Sequence, residues 1–189
     1  MIKKELKIDI IKANEMHIHD ISLIATKQLG YSHLLKNELP DNKSFIYCAL
    51  NNKEVLGYVI GKLFSNASFF NSYKKLNTIN TREIKKNKIL GMLVSIAVKS
   101  KHQNKGIGTK LVIKLLKKFR ENNAGMSLMT AWKSKNGVSM HKIADRIGYK
   151  AIAEVGNYWK EDSQIYGYHC PECGSPPCKC ACVVYVLKF

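Results

Sequence analysis

Five of the chain's six cysteines lie within one short segment near the C-terminus. Cys170 and Cys173 stand before Gly174 in a Cys-x-x-Cys-Gly pattern, which forms a knuckle whose two thiolates can face one metal ion. Cys178 and Cys180 follow as Cys-x-Cys, and this second pair can complete a tetrahedral sulfur site. The four residues predict a metal site, with zinc as the first choice and iron as the second.

The role expected for this metal is structural. An ion with four thiolate ligands has no open position for water, so we expect it to fold the loop between the last two strands. Residues 169–182 are therefore interpreted as a small metal-binding insertion, in which Cys182 or His169 can replace one of the four ligands. Disulfide bonds are the second interpretation and a catalytic metal is the third, and a cytoplasmic location argues against disulfides.

A second chemical signal is a pair of closely spaced glycines, Gly106 and Gly108, after the apolar run Ile89–Val98. Apolar residues at helical spacing follow the glycines, so the segment is interpreted as strand, glycine loop and helix. Free backbone N–H groups and the helix dipole attract a pyrophosphate at such a junction, and glycines let the backbone come close. The pair predicts a phosphate-binding loop, with a simple tight turn as the alternative.

The identity of this loop follows from its spacing. Neither the Gly-Lys-Ser/Thr end of a P-loop nor a Gly-x-Gly-x-x-Gly pattern with a downstream acidic residue is present. Gln103-x-x-Gly106-x-Gly108, after a strand ending in Val98, resembles the Gln/Arg-x-x-Gly-x-Gly/Ala signature of the GNAT superfamily of acyl-CoA-dependent N-acyltransferases. The resemblance implies that backbone groups at Ile96 and Val98 contact the acetyl and pantetheine parts of acetyl-CoA. The residues implied for its pyrophosphate are Gln103, Asn104, Lys105, Gly106, Ile107, Gly108 and Thr109.

The elements predicted along the chain follow the order of a GNAT fold. The resemblance therefore implies the class α/β (α+β), with a mixed, mostly antiparallel central sheet flanked by helices, and the cysteines place a metal-binding loop in the final hairpin. The predicted strands are Leu6–Ile11, Phe45–Leu50, Glu54–Phe64, Ile89–Val98, Met126–Trp132, one containing Tyr158, and Val183–Leu187. The predicted helices are Ala13–Leu29, Ser32–Leu39, one after Gly108, and Val138–Ile147 with Asn136 as its cap. Ser65–Lys88 is predicted as a long loop that can contain a helical turn, and it is either a lid over the acceptor or simply disordered.

The catalytic residues are less clearly marked. Many GNAT proteins carry a tyrosine four residues before the glycine that ends the last helix, where it protonates the departing thiolate, but this position is Ala144 here. His141 lies one turn earlier and is a candidate functional group, with a surface or core histidine as the alternative. Asn157-Tyr158-Trp159 resembles the Asn-Tyr-Tyr element of N-terminal protein acetyltransferases, so Tyr158 is the second candidate, with a core aromatic as the alternative.

Composition limits the remaining possibilities. A chain of 189 residues with 46% hydrophobic and 24% charged residues fits a single folded domain, residues 1–189. No apolar run approaches the length of a membrane span, and the N-terminus lacks the pattern of a secretory signal, so a cytoplasmic location is expected. The net charge of +17 would attract polyanions, but no nucleic-acid-binding motif is present.

The sequence therefore predicts an enzyme, a single-domain N-acetyltransferase in which a primary amine attacks acetyl-CoA directly in a ternary complex. The acceptors implied are a protein N-terminus first, then a lysine, a polyamine or a small amine. The alternative is a catalytically weak CoA-binding scaffold that binds RNA or a protein, and Ala144 is the residue that keeps this alternative open.

Overall fold

The computed structural model describes residues 7–30, 44–135 and 137–189. The strands are β1 (Asp9–Lys12), β2 (Ser44–Asn51), β3 (Glu54–Ser65), β4 (Ile89–Val98), β5 (Met126–Ser134), β6 (Gly137–Val138), β7 (Lys150–Val155) and β8 (Ala181–Lys188). The helices are α1 (Glu15–Leu29), α2 (Asn66–Ser72), α3 (Arg82–Lys85), α4 (Ile107–Glu121), α5 (His141–Ile147) and α6 (Lys160–Tyr166), with 3-10 turns over Lys74–Thr78 and Ser100–His102.

The eight strands form one sheet in the order β1-β2-β3-β4-β5-β8-β7, with β6 paired to the end of β5. Of these pairs, only β4 and β5 run parallel. The connection between them is α4, as expected for a parallel crossover. The predicted fold class, a mixed and mostly antiparallel sheet flanked by helices, is confirmed.

Helices cover both faces of this sheet because the strands alternate buried side chains on the two sides. On one face, α4 buries Leu111, Leu115 and Phe119 together with residues of β2, β3, β5 and α5. On the other face, α1 buries Ile21 and Ile24 against β2 and β3. The strands are consequently apolar on both sides, as the run Ile89–Val98 predicted.

The largest difference from the sequence prediction lies between β3 and β4. Residues 65–88 form three consecutive helical elements, α2, a 3-10 turn and α3, rather than a long loop with a single helical turn. One large apolar side chain from each, Phe69, Leu76 and Ile84, is fully buried against β4 and β5. Each of these elements is too short to show a helical period in the sequence, so only the packing reveals them.

Three smaller boundaries also differ. The helix predicted over Val138–Ile147 begins at His141, because residues 137 and 138 pair with β5 instead. Tyr158 lies in a turn after β7 rather than in a strand, and Cys182 belongs to β8 rather than to the cysteine loop. The predicted helix Ser32–Leu39, the cap Asn136 and the start of the first strand lie outside the described residues.

Within the described part of the chain, no helix has the length and apolar character that crossing a membrane requires. The longest described helices, α1 and α4, have 15 residues each, and both contain charged residues.

Candidate active site and metal centre

The cleft of this protein begins where two parallel strands separate. β4 and β5 are paired only from Leu90 with Met126 to Leu93 with Met129. Beyond that point the strands diverge, and Val94 bulges out of the pairing between β3 and β4. A bulge bends and twists its strand, which here opens a gap in the middle of the sheet.

A cavity of about 470 Å³ opens on one side of this gap. It is lined by Gln28, Leu29, Ile96, Ala97, Val98, His102, Gln103, Asn104, Gly106, Ile107, Gly108, Thr109, Trp132, Ser139, Met140, Lys142, Ile143 and Arg146. We call it the donor cavity. The structure thus brings together all the residues that the GNAT resemblance implies for acetyl-CoA except Lys105, whose Nζ donates instead to the carbonyl of Lys101 at 2.9 Å.

The glycine loop ends in an uncapped helix start. Gly106 is the N-cap of α4 with φ +79°, a left-handed conformation that favours glycine, and Asn104 is also left-handed at φ 59°. No side chain caps α4, so the first amides of the helix, at Ile107 and Gly108, have no side-chain acceptor. Amides directed outward from such a loop, together with the helix dipole, form an anion site.

The two glycines have different roles in the structure. A Cβ at Gly106 would meet no atom within 4 Å, so its backbone conformation is the reason for a glycine there. A Cβ at Gly108 would approach the Cδ1 of Ile143 on α5 to 2.8 Å. Gly108 therefore allows α4 and α5 to approach each other, a packing role that the sequence interpretation did not include.

Gln103 fixes the loop to the rest of the cavity wall. Its Nε2 donates to the carbonyl oxygen of Val98 and to the Oε1 of Gln28, each at 3.0 Å. The neighbouring His102 has both ring nitrogens buried without a hydrogen-bond partner. Burial, assisted by the charge of Lys105, lowers the pKa of this imidazole, so we expect His102 to be neutral beside the cavity.

Several lining residues were missed by the sequence analysis. Lys142 and Arg146 lie four residues apart on α5 and place two cationic side chains on the cavity, where they suit a phosphorylated ligand. This i, i+4 pair of basic residues is a signal that the sequence did contain. Gln28 and Trp132 come from distant elements, so nothing in their local sequence marks them.

A second cavity, of about 380 Å³, lies on the other side of the sheet gap and is called the acceptor cavity here. It is lined by Asn71, Ser72, Tyr73, Lys74, Lys75, Met92, Val94, Thr130, Tyr158, Trp159, Glu161, Asp162, Tyr166 and Tyr168. The same two strands serve both cavities. On β4, Val94 lines the acceptor cavity and Ile96 the donor cavity, and on β5 Thr130 and Trp132 divide in the same way.

Tyr158 is buried in the wall of the acceptor cavity. Its backbone N–H donates to the carbonyl oxygen of Cys180 at 3.1 Å, and its side chain lines the cavity together with that of Thr130. Burial, and next the nearby Cys182, raises the pKa of the phenol above its usual range. The hydroxyl therefore keeps its proton at neutral pH and can act as a donor.

Lys75 joins the helical segment 65–88 to this wall. Its Nζ donates to the carbonyl oxygen of Tyr158 at 2.6 Å and lies 5.7 Å from the centre of the tyrosine ring. The same ammonium lies 3.4 Å from Glu161 and 3.9 Å from Asp162 on α6. The segment predicted as a lid is thus part of the acceptor cavity, although its closure over a bound acceptor stays a prediction.

The other catalytic candidate, His141, lies away from both cavities. Its imidazole Nε2 is 3.3 Å from Asp145 on the same helix, and the two side chains are 64% and 60% exposed. Ala144, which was expected to share its surroundings, is fully buried in the core beside α4. The catalytic prediction for His141 therefore has no supporting contact among the described residues.

The four predicted metal ligands converge. The Sγ atoms of Cys170, Cys173, Cys178 and Cys180 all lie within 4.8 Å of one another. The Sγ of Cys180 is 3.6 Å from the Sγ of Cys170 and 3.4 Å from the Sγ of Cys173. Sulfur atoms around a tetrahedral zinc with bonds of about 2.3 Å are about 3.8 Å apart, so the cluster has the size of a Zn(Cys)₄ site.

The chemistry of the cluster also fits a metal. All six cysteines are free, and neither Cys182 nor His169 is part of the group. Burial raises the pKa of Cys180 to about 11 and also raises that of Cys178. At neutral pH these buried thiols would deprotonate only if a cation compensated the negative charge of the thiolates, and a bound zinc ion would do so.

The sequence also matches a known family. The profile of the acetyltransferase (GNAT) family matches residues 14–149, well over half of the chain. The chain therefore belongs to the GNAT family of acetyl-CoA-dependent N-acetyltransferases, and the predicted enzyme class is confirmed. A search of curated proteins gives no match.

Solved structures share the fold at low sequence identity. Arabidopsis thaliana NAA60 in complex with acetyl-CoA has a TM-score of 0.71 at 10% identity, over 97% of this chain and 99% of that one. The ribosomal-protein-S18-alanine N-acetyltransferase of Escherichia coli has a TM-score of 0.63 at 10% identity, over 96% of this chain and 94% of that one. The polyamine N-acetyltransferase of Drosophila melanogaster has a TM-score of 0.63 at 12% identity, over 97% of this chain and 100% of that one. At these identities the likeness shows the fold alone.

Proposed function

We propose that this protein transfers the acetyl group of acetyl-CoA to a primary amine by direct attack in a ternary complex. The observation that carries the proposal is the gap between β4 and β5, which has a phosphate-type loop at one end and opens to a cavity on each side. A thioester placed in the gap from the donor cavity can be reached by an amine from the acceptor cavity. Such positioning supplies much of the catalysis in a reaction of this kind.

The chemical step needs a neutral amine and a proton donor. The amine nitrogen attacks the thioester carbonyl carbon, and the C–S bond then breaks with its electron pair going to sulfur. The departing thiolate takes the proton of the Tyr158 hydroxyl, and the proton released by the amine returns to Tyr158 through water. Tyr158 suits this role because it is buried and protonated, and because it lines the acceptor cavity with Thr130 beside the gap.

For the acceptor, we propose a protein or peptide N-terminus. The charged residues of the acceptor cavity are Lys74, Lys75, Glu161 and Asp162, two cations and two anions, so the cavity has no excess negative charge for a polyamine. At pH 7 about a tenth of α-amines are neutral, compared with fewer than about one in a thousand lysine amines. Tyr158 and Trp159 stand in this wall at the positions of the Asn-Tyr-Tyr-like element.

We also propose that the four-cysteine cluster holds a structural zinc ion. The sulfur distances and the closed ligand set support this assignment, because a Cys₄ site leaves no position for a substrate or water. Bound zinc would supply no chemistry to acetyl transfer. Its contribution would be to fold the connection between β7 and β8.

The test is an acetyl-transfer assay with [¹⁴C]acetyl-CoA on three matched acceptors. They are a peptide with a free N-terminus and no lysine, a peptide with a blocked N-terminus and one lysine, and spermidine. We expect turnover on the first and little on the other two. Faster turnover on spermidine or on the lysine peptide would contradict the acceptor class. Saturable acetyl-CoA binding without turnover on any amine would instead support the scaffold alternative.

A further inference from the structure

The chain has only two tryptophans, and both pack against the cysteine cluster. Trp132 and Trp159 contact the buried group of Cys170, Cys178 and Cys180. A small cavity of about 40 Å³ separates them, lined also by Leu29, Tyr168 and Pro171. The metal site therefore lies between two large rigid side chains.

Each tryptophan belongs to a different cavity. Trp132, on β5, lines the donor cavity, whereas Trp159 lines the acceptor cavity. The indole N–H of Trp132 is buried and has no hydrogen bond of good geometry. The side chain of Trp132 packs against the cluster that contains the sulfur of Cys180. A thiolate bound to a metal would be a stronger acceptor for this N–H than a thiol.

The backbone around the cysteines is fixed to the same walls. The backbone N–H of Cys178 donates to the Oγ of Ser163 on α6 at 2.8 Å. A Cβ at Gly30, at the end of α1, would come within 1.9 Å of the carbonyl oxygen of His169. α1 supplies Gln28 and Leu29 to the donor cavity, so the cysteine loop is pressed against that wall as well.

We propose that metal binding at the four cysteines is coupled to acetyl-CoA binding, and that Trp132 is the positioning residue that carries the coupling. The metal fixes the cysteine cluster, the cluster fixes the indole of Trp132 that packs against it, and the indole forms part of the wall on which acetyl-CoA lies. The inference rests on the proposed function, because it takes acetyl-CoA as the ligand of the donor cavity and zinc as the metal. Outer-shell partners of metal ligands typically change metal affinity or activity by about 10- to 100-fold when they are mutated.

The coupling is tested first on the wild-type protein. Acetyl-CoA affinity is measured by calorimetry on the zinc-loaded protein and on the protein stripped with a chelator, and we expect it to be about tenfold weaker after stripping. Reciprocity requires acetyl-CoA to raise zinc affinity by the same factor. That factor is measured by competition with a coloured chelator, starting from folded, zinc-loaded protein. Equal zinc affinity with and without acetyl-CoA, within twofold, would overturn the proposal.

The tryptophans provide a matched pair of variants. Trp132→Phe and Trp159→Phe each remove one indole from the same cysteine cluster, but from opposite cavities. We expect both to keep one zinc ion per chain. Trp159→Phe should retain the tenfold coupling, and Trp132→Phe should reduce it to less than twofold. If Trp132→Phe weakens acetyl-CoA binding equally with and without zinc, Trp132 is only a wall residue and the assignment is wrong.

Failure of this inference can be separated from failure of the proposed function. The coupling is measured by binding and needs no amine, so an intact coupling without acetyl transfer would contradict the proposed reaction alone. Acetyl transfer that proceeds with a zinc-independent affinity for acetyl-CoA would contradict the coupling alone. In each single-tryptophan variant, the remaining indole also reports on its own cavity, and we expect acetyl-CoA to change the emission of Trp132 more than that of Trp159.

Discussion

The backbone N–H of Tyr158 donates a 3.1 Å hydrogen bond to the carbonyl oxygen of Cys180. The residue that we propose as proton donor is thus hydrogen-bonded directly to the last of the four clustered cysteines. Cys180 also lies one residue before β8, the strand that pairs with both β5 and β7. The cysteine loop is therefore continuous with the framework of the active site, even though its four thiols leave no place for a substrate.

Replacement of the Tyr158 hydroxyl should impair the chemical step. Tyr158→Phe is expected to lower kcat about 10²-fold, because the thiolate then leaves without a positioned proton donor. The affinity for acetyl-CoA should be unchanged, since Tyr158 does not line the donor cavity. Because burial raises the pKa of the phenol, its proton remains bound up to at least pH 10, and the wild-type kcat should show no fall from this group below that pH.

Tyr166→Phe is the matched control for this variant. Tyr166 lines the same cavity but is about half exposed. Removing the hydroxyl of Tyr166 should change kcat less than threefold. A wild-type kcat in Tyr158→Phe, measured with saturating acetyl-CoA, would remove Tyr158 from the mechanism.

The glycine loop makes a prediction about acetyl-CoA binding. Gly106→Ala should raise the Kd for acetyl-CoA about tenfold or more, because a side chain at φ +79° strains the loop that presents the α4 amides. The left-handed conformation itself should cost about 1–2 kcal/mol of stability. Calorimetry for binding and chemical denaturation for stability measure the two effects separately.

Gly167→Ala provides the comparison for Gly106→Ala. Gly167 also has positive φ, 65°, and a Cβ there would meet open space. It lines neither cavity, so this variant should lose similar stability and bind acetyl-CoA normally. Equal effects of the two variants on Kd would mean that the loop of Gly106 does not bind the pyrophosphate.

The metal assignment is tested by one substitution inside the cluster and one beside it. Cys173 is the least buried of the four ligands, so Cys173→Ser removes a sulfur with little loss of packing. We expect the zinc content to fall from one ion per chain and the Tm to fall with it. Cys182→Ala, on β8 outside the cluster, should keep the zinc. Elemental analysis that finds full zinc in Cys173→Ser, or loss of zinc in Cys182→Ala, would show that the ligand set is wrong.

An ion-pair network predicts a pH dependence of stability. Glu83 on α3 lies 2.8 Å from the Nζ of Lys188 at the end of β8 and also pairs with Lys86. Hydrogen bonds to Lys188 and Lys86 lower the pKa of this carboxyl from 4.5 to about 2. Its contribution to stability is therefore full above pH 4.5 and is lost as the pH falls through 2. The stability difference between wild type and Glu83→Gln should shrink over this interval in urea denaturation.

Glu121→Gln is the control for that series. Glu121 pairs with Lys118 three residues away on the same helix, so its ion pair joins no distant elements. If the difference in unfolding free energy between wild type and Glu83→Gln is constant from pH 5 to pH 2, the predicted link between the Glu83 pKa and stability is wrong.

The sequence was sufficient for the features that depend on local spacing. The glycine loop, the four cysteines and the elements β2, β3, β4 and α4 could all be predicted, because each carries its own periodicity or motif over adjacent residues. The order of these elements was also sufficient for the fold class. Gly106 is an instance, since the left-handed conformation of this N-cap favours a glycine whatever surrounds it.

Only the tertiary structure could decide how distant segments share a wall. Phe69, Leu76 and Ile84 belong to helical elements too short to show a period, and they fold because the sheet buries them together. The position of Lys75 against Tyr158 joins residues 83 positions apart. The two tryptophans, unremarkable in sequence, flank the cysteines and face opposite cavities because β5 and the turn after β7 meet there. Contacts of this kind depend on the packing of whole elements, which no local pattern of residues encodes.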